Sequence, residues 1–277
     1  MPFDPEAVRE FERTGWNRAA ATYAATFAAA SRQFIEPLLD APGLDAAGVV
    51  RGTAVLDLCC GPGFVAAAAH ARGAIATGLD FSPAMLAEAR SRYPAIAFDH
   101  GDAEAPPYDD ASFDAVVSNF GIHHVPRPCV ALNGVHRILR NGGQFAFSIW
   151  SGRDENIAWK LVFDAVERHG DPRASAAPPP GGGFASPADC LRALDAAGFE
   201  PRTATLVRGV WRHADAASLV AAFRGGTARM AAMLEAQAES AMPAILAGLE
   251  AAAASWRDKD GQLAVPIACV IAAGIKR

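Results

Sequence analysis

The chain has 277 residues, of which 51% are hydrophobic and 20% are charged. This composition is typical of a folded globular protein and excludes a chain kept disordered by high charge. The net charge is -5, from 25 basic and 30 acidic residues, and no run of lysines or arginines occurs. We therefore expect no nucleic-acid partner, because phosphate binding requires a basic surface.

The lengths of uncharged stretches and the spacing of cysteines indicate whether the protein spans a membrane or binds a metal ion. The longest stretches without a charged residue, 174–188 and 261–275, have 15 residues each, fewer than the roughly 20 that a bilayer span needs. The N-terminus is acidic, unlike a secretion signal. The five cysteines are scattered, with no C-x-x-C pair, at positions 59, 60, 129, 190 and 269. We expect a cytoplasmic protein with reduced thiols, no membrane span and no metal site.

The predicted elements change character near residue 53. Residues 5–40 are alanine-rich and predict one or two helices, which end near Pro37, Pro42 and Gly43. From Thr53 onward, short apolar runs alternate with helical stretches, as in a parallel sheet with crossover helices. The predicted strands are 53–58, 74–79, 95–98, 115–118 and 144–150, and the predicted helices are 64–72, 83–92 and 127–139. The first half of the chain is thus an α/β, doubly wound structure.

The pattern after Trp150 is less regular. It predicts a helix over 157–168, a short helix ending at Gly198 and a strand-like run to Trp211. Two more helices are predicted next, the second over 227–256 with a kink at Pro243, and then a buried strand over 267–275. Three prolines and three glycines over 178–183 predict a loop, which we interpret as a lid near the mouth of a site.

The most informative stretch is residues 56–63, Leu-Asp-Leu-Cys-Cys-Gly-Pro-Gly. It connects the first predicted strand, 53–58, to the helix that follows it, 64–72. Ligands of open α/β sheets bind at such strand ends. Residues 61–66 also fit the dinucleotide pattern G-x-G-x-x-A, with Asp80 placed to bind a ribose. The carboxylate of Asp57 argues for a different ligand, because it would repel a pyrophosphate and attract a positively charged group. Neither Asp57 nor Asp80 has an evident role in folding.

Several motifs carry a resemblance to a known family. Residues 55–63, 78–82, 101–104, 113–125 and 139–143 resemble, in order and spacing, the class I S-adenosylmethionine-dependent methyltransferases. The closer resemblance is to the small-molecule branch that includes the ubiquinone and menaquinone biosynthesis C-methyltransferases. It covers about residues 10–150. The resemblance implies a mostly parallel, seven-stranded Rossmann-like sheet with an N-terminal helical cover and a helical insertion before the last strand.

The resemblance also implies an organisation of the chain into four segments. Residues 1–50 would be the helical cover, 51–150 the cofactor-binding core, 151–258 the substrate-binding region with its insertion, and 259–277 the final strand. S-adenosylmethionine would be the cofactor and a small molecule the methyl acceptor. The alternatives are an NAD-dependent oxidoreductase and a non-catalytic cofactor-binding protein. The oligomeric state is not indicated by the sequence.

The resemblance assigns cofactor contacts to particular residues. Asp57 and Asp80 would bind the methionine end and the ribose, and Asp102 would accept from the adenine amino group. Cys59 replaces the first glycine of the family pattern. Tyr23 corresponds to an aromatic residue that covers the amino-acid end, although packing explains a tyrosine equally well. The full set of expected cofactor-binding residues is Tyr23, Asp57, Cys59, Gly61, Gly63, Asp80, Phe81, Met85, Asp102, Ala103 and Asn119.

The candidate catalytic residues are His123 and His124, which follow the fourth predicted strand. A histidine titrates near neutral pH and suits a general base if the acceptor must lose a proton. The alternative is that His124 caps the next helix or hydrogen-bonds the backbone. Neighbouring residues tend to point apart, and no acid lies nearby in the sequence to complete a metal site. Acceptor specificity is expected from residues 151–258. An aromatic-walled pocket could be lined by Trp150, Trp159, Phe184, Trp211 and Phe223, although a place in the core is the more usual one for each of them.

Overall fold

The computed structural model describes residues 3–41, 49, 51–175, 184 and 186–277. The strands are β1 (Ala54–Leu58), β2 (Ile75–Asp80), β3 (Ala97–His100), β4 (Phe113–Asn119), β5 (Leu139–Trp150), β6 (Phe199–His213) and β7 (Leu263–Lys276). The helices are α1 (Pro5–Tyr23), α2 (Ala28–Ser31), α3 (Ile35–Leu39), α4 (Phe64–Ala71), α5 (Pro83–Arg92), α6 (Pro128–Ile138), α7 (Ile157–His169), α8 (Pro187–Ala196), α9 (Ala216–Gly226), α10 (Arg229–Glu235) and α11 (Met242–Ala253).

Seven strands of the described chain form one sheet in the order β3-β2-β1-β4-β5-β7-β6. Neighbours from β3 to β5 run parallel, whereas β7 runs antiparallel to both β5 and β6. The strand order reverses between β1 and β4, which opens a crevice at their carboxyl ends. This topology confirms the predicted doubly wound, mostly parallel, seven-stranded Rossmann-like sheet with helices before its last strand.

Helix starts follow local capping chemistry. Asp4 accepts hydrogen bonds from the amides of Glu6 and Ala7 at the start of α1, and Ser82 accepts from the Met85 amide at the start of α5. Proline occupies the first turn of both helices, where its missing N–H costs nothing. The Ser-Pro signal therefore placed α5 correctly over residues 83–92.

Several predicted elements differ in number or extent: the one or two helices expected over residues 5–40 are three, and β7 begins four residues before the predicted strand. The single kinked helix over 227–256 is instead α10 and α11, separated by residues 236–241, and Pro243 lies in the first turn of α11. A proline in a first turn starts a helix without bending it. Strand β5 begins at Leu139, five residues earlier than predicted, because Leu139 pairs with Phe113 across an irregular register.

Two apolar clusters cover the faces of the sheet. One contains side chains from α3, α4, α5, α7, α9, α10 and α11, and the other contains side chains from α6 and α8. Helix α1 packs against α5 and α9 above the crevice. Within the described residues, no helix has the length and apolar character that a bilayer span needs. The predicted lid, 178–183, lies outside the described residues.

Candidate active site

A cavity of about 350 Å³ lies at the carboxyl ends of β1, β2 and β4, within the usual size range of ligand pockets. Side chains from α1, from the loop after β1 and from α10 close it. Every predicted cofactor-binding or catalytic residue except Gly63 lines this cavity. The structure therefore brings together residues that are spread from position 23 to position 124 of the sequence.

The glycine loop is held by the two carboxylates that precede and follow it. Asp57 is buried, and its Oδ2 accepts from the Ala66 amide at 2.9 Å, which caps α4 from the sheet. Asp80 accepts from the amides of Gly61 and Ser82, each at 2.8 Å. The expectation that neither carboxylate helps the fold is wrong, because both satisfy backbone donors at helix starts and turns.

Burial controls the charge of these two groups. It raises the pKa of Asp57 to about 8, and the neighbouring charge of Asp80 adds to that rise. Burial raises the pKa of Asp80 to about 6, although the amides of Ser82 and Gly61 oppose the effect. A positive ligand in the cavity would favour the ionised form of both carboxyls.

The two predicted glycines have different roles. Gly61 has a φ of +51°, and a Cβ built there would approach only Met85 Sδ, at 4.0 Å, so it would occupy cavity space. This bare backbone fits the close approach of a ligand. Gly63 has a φ of +81°, but a Cβ there would lie 2.7 Å from Phe98 Cζ. Gly63 is thus required by packing and lies outside the cavity wall.

Two bulkier residues adopt left-handed backbone conformations at the cavity. Cys59 has a φ of 59° and Phe120 a φ of 60°, and both line the cavity. Phe120 is held by stacking on Trp150, with ring centroids 3.8 Å apart. Such conformations cost free energy and concentrate at functional sites. Burial also raises the pKa of the Cys59 thiol, which therefore stays protonated.

The far end of the cavity is formed by Phe81, Met85, Asp102 and Ala103, the predicted adenine contacts. Asp102 is already paired, with Arg9 Nε 2.8 Å from its Oδ2. Arg9 also reaches Glu104 at 2.7 Å. Helix α1 is therefore tied across this end by Arg9, a residue that carried no sequence motif.

Tyr23 and Asn119 both hold Ser31 at the end of α2. The Tyr23 hydroxyl lies 2.8 Å from Ser31 Oγ, and Asn119 Nδ2 donates to the Ser31 carbonyl at 3.1 Å. The Ser148 hydroxyl donates to Asn119 Oδ1 at 2.6 Å. Burial raises the pKa of Tyr23 to about 12, so its hydroxyl stays neutral. These bonds hold α2 against the carboxyl ends of β4 and β5.

The histidine pair lies on a 3₁₀ turn, residues 122–124, directly after β4. The two rings are 4.2 Å apart and both line the cavity, so the expectation that they point apart is wrong. Burial lowers the pKa of His123 well below its usual value, with the charges of His124 and Arg229 adding to that effect. His124 Nδ1 lies 3.1 Å from Oε2 of Glu12, an acid that is distant in sequence.

The predicted aromatic pocket is partly confirmed. Trp150 and Trp159 line the cavity, whereas Trp211 and Phe223 are fully buried behind them. Phe184 packs on Phe147 in the cluster on the opposite face of the sheet. The remaining apolar wall comes from residues without a predicted site role, including Phe27, Ile35, Phe163 and Met230. Among the described residues, no group of three His, Cys, Asp or Glu side chains is placed to hold a metal ion.

Comparison with known proteins agrees with this geometry. A family model described as a methyltransferase domain matches residues 56–147. We call these residues the methyltransferase domain, after the family model that they match. The matched span of this methyltransferase domain runs from β1 to β5 and includes the glycine loop and the histidine pair.

Curated relatives match less than half of this chain. A malonyl-[acyl-carrier protein] O-methyltransferase from Erwinia billingiae is 34% identical over 134 residues, which are 43% of this chain and 53% of that protein. A demethylmenaquinone methyltransferase from Beutenbergia cavernae is 39% identical over 108 residues, 39% of this chain and 45% of that protein. The chain spans about half the length of the curated relatives it matches.

Similarity of fold extends further than similarity of sequence. The BH2331 protein from Bacillus halodurans C-125 superposes with a TM-score of 0.57 over 88% of this chain and 99% of that chain, at 18% identity. At that identity the likeness shows the fold alone. The helices outside the methyltransferase domain therefore have to be interpreted from their own contacts.

Those outer helices supply the site residues that the sequence did not reveal. Arg9, Glu12 and Trp16 come from α1, Thr227 directly follows α9, and Arg229 is the first residue of α10. All but Glu12 are part of the cavity wall. The sequence of α1 indicates these residues only weakly, because polar and aromatic side chains are scattered among its alanines. The packing of α1 over the sheet shows which of them face the site.

Proposed function

We propose that the protein transfers a methyl group from S-adenosylmethionine to a small organic acceptor. The observation that carries the proposal is the division of one cavity into two chemically distinct halves. Carboxylates and bare glycine backbone line the half at the glycine loop, and aromatic side chains line the half beside the histidines. S-adenosylmethionine, when bound, supplies a methyl carbon activated by an adjacent sulfonium.

The residues present suit this cofactor. We assign Asp57 to the side of the cationic methionine end and Asp80 to the ribose hydroxyls, while Phe81 and Met85 flank the adenine. Asp102 would accept from the adenine amino group, although its pairing with Arg9 leaves it less free to do so. The open position at Gly61 allows the backbone to approach the ligand.

The acceptor would occupy the apolar half. Trp150, Trp159, Phe27 and Phe163 form a wall that favours a molecule with an apolar body. Alignment and exclusion of water account for much of the acceleration of a displacement at carbon. Two curated relatives are named for the methylation of malonyl-[acyl-carrier protein] and of demethylmenaquinone.

Titration calorimetry with S-adenosylhomocysteine and, separately, with NAD tests the cofactor. We expect micromolar or tighter binding of S-adenosylhomocysteine and none of NAD, because the Asp57 carboxylate disfavours a pyrophosphate. Asp80→Ala should weaken the binding of S-adenosylhomocysteine by about 1 to 3 kcal/mol, since it leaves ligand hydroxyls unpaired. Asp99→Ala, on the neighbouring strand and outside the cavity wall, is the matched control. Tight binding of NAD alone would refute the assignment.

A screen with isotopically labelled methyl donor identifies the acceptor class. The panel contains quinones, phenols, amines and thiols, and the readout is label in an extractable product. Label transfer separates an enzyme from a protein that binds the cofactor without using it. A protein that binds S-adenosylhomocysteine but labels none of these acceptors would favour the non-catalytic alternative.

A further inference from the structure

Glu12 is a buried carboxylate at the point where three parts of the chain meet. It lies on α1, its side chain is fully buried, and Oε1 accepts from Arg229 Nε at 2.6 Å. Oε2 accepts from Trp16 Nε1 at 3.1 Å and lies 3.1 Å from His124 Nδ1. Glu12 thus connects α1, α10 and the turn after β4.

The carboxylate of Glu12 is ionised in this setting. Burial alone would raise the pKa of Glu12, but its interactions with His124 and with the Arg229 guanidinium, which hydrogen-bonds Oε1, outweigh burial and hold that pKa below its usual value. An ionised carboxylate accepts and cannot donate, so a neutral imidazole facing it is favoured with its proton on Nδ1.

Joining α1 to α10 does not require the contact with His124. The bond between Arg229 and Oε1 already joins the two helices, and buried ion pairs contribute little net stability compared with apolar packing. The second oxygen instead faces the histidine that lines the cavity, and Trp16 holds the other side of that ring, with centroids 5.0 Å apart. The arrangement restrains both the tautomer and the orientation of one imidazole.

We propose that Glu12 is a positioning residue that keeps the proton of neutral His124 on Nδ1, so that Nε2 acts as the base toward the methyl acceptor. The inference rests on the proposed function and narrows its substrate class to acceptors that lose a proton on methylation, such as a hydroxyl or an acidic carbon. Carboxylate-oriented imidazoles serve this purpose in other active sites.

The step balances in atoms and charge. The acceptor gives its proton to His124 Nε2, and the electron pair left on the acceptor attacks the methyl carbon. The carbon–sulfur bond breaks, and its electron pair stays on sulfur, which becomes a neutral thioether. The imidazolium formed on His124 is stabilised by the adjacent Glu12 carboxylate and later returns the proton to solvent.

Nitrogen NMR of the full-length protein, labelled with ¹⁵N-histidine and saturated with S-adenosylhomocysteine at pH 8, tests the proposal directly. We expect a protonated, pyrrole-type signal at His124 Nδ1 and an unprotonated, pyridine-type signal at Nε2, assigned by their loss in His124→Gln. In Glu12→Gln, at least half of the population should move to the Nε2–H tautomer. Glu10→Gln, on the same helix but paired only with exposed partners, is the control and should match the wild type.

The wild-type spectrum decides the question even if Glu12→Gln folds poorly. An Nε2–H tautomer in the wild type, or an unchanged tautomer in a folded Glu12→Gln, would overturn the proposal. Calorimetry on the same samples keeps the two hypotheses apart. Failure to bind S-adenosylhomocysteine refutes the proposed function, whereas normal binding with the wrong tautomer refutes only the role of Glu12.

Discussion

At the residue scale, Asp57 combines a structural task with an unfavourable charge. Its pKa is raised to about 8 in the folded chain, against 3.8 for an unperturbed aspartate. A raised carboxyl pKa means that the folded state prefers the neutral form. The contribution of Asp57 to the free energy of unfolding is therefore fully present below about pH 4, and it is lost as the pH rises toward 8. The slope is limited to about 1.4 kcal/mol per pH unit for one proton.

Asp57→Asn should remove this pH dependence, because asparagine is always neutral and can still accept from the Ala66 amide. Urea unfolding at pH 5, 6.5 and 8, without ligand, measures the effect: the variant should gain stability over the wild type as the pH increases. Asp114→Asn is the control, since its partners Ala54 and Arg140 lower the pKa of Asp114. Its difference from wild type should stay constant over this range. A constant difference for Asp57→Asn as well would show that Asp57 is ionised when folded.

Cys59 has a left-handed backbone at the position where the family pattern has glycine. A residue with a Cβ pays about 1 to 2 kcal/mol in this conformation. We expect Cys59→Gly to raise the free energy of unfolding by about 1 kcal/mol or less. The gain is limited because glycine also increases the conformational entropy of the unfolded chain. Cys60→Gly is the matched control and should destabilise, because Cys60 is buried and not left-handed. Urea midpoints compare the two, and a destabilised Cys59→Gly would contradict this account.

Residue-level prediction succeeded where a motif fixes geometry and failed where partners are distant. Asp57 and Asp80 lie at the carboxyl ends of adjacent parallel strands, so their carboxylates had to meet at one end of the sheet. Glu12 and Arg229 are 217 positions apart and belong to no motif. Only the packing of α1 against the insertion brings them together, and acidic residues near a chain start usually remain exposed.

At the element scale, α1 connects to the methyltransferase domain mainly through side chains over the cavity. Arg9 pairs with Asp102 and Glu104 at one end, and Asn17 accepts from the Ser82 hydroxyl at 2.7 Å near the middle. Helix α1 lies outside the sheet, so it lacks the backbone hydrogen bonds that join one strand to the next. We infer that α1 opens to admit the cofactor, because the cavity is partly closed by its side chains.

Hydrogen exchange tests this role of α1. Saturating S-adenosylhomocysteine should slow amide exchange in residues 9–23 by about tenfold or more, since the ligand binds the closed arrangement in preference to the open one. Helix α8 is the internal control: it packs on the opposite face and does not line the cavity. Equal slowing in both helices would indicate general stabilisation and no opening at α1.

Element boundaries were predictable in proportion to their local signals. The Ser82-Pro83 signal predicted where α5 begins, and the observed helix has the predicted bounds. By contrast, the helix expected over 227–256 is interrupted at residues 236–241. There, Gln237 leaves the helical pattern to exchange hydrogen bonds with Asp171 across the fold. Such tertiary bonds override the intrinsic preference of an alanine-rich run and leave no trace in the sequence.

At the scale of the whole molecule, the four predicted segments share one apolar core. A single buried cluster contains Phe34 of the cover, Val55 of the cofactor-binding core, Trp211 and Ile245 of the substrate region, and Ile271 of the final strand. The final strand also forms backbone hydrogen bonds with β5, a strand of the predicted cofactor-binding core. The four predicted segments therefore belong to one folding unit.

This shared core predicts a single cooperative unfolding transition. Tryptophans report mainly on the cover and the substrate region, at positions 16, 150, 159, 211 and 256, whereas far-UV circular dichroism reports on all segments. Urea curves from the two probes should coincide. S-adenosylhomocysteine at about 100 times its dissociation constant should move both by about 2.7 kcal/mol. If the fluorescence transition came first and only the later one shifted with ligand, the substrate region would be a separate unit, and acceptor specificity could then be exchanged without disturbing the cofactor site.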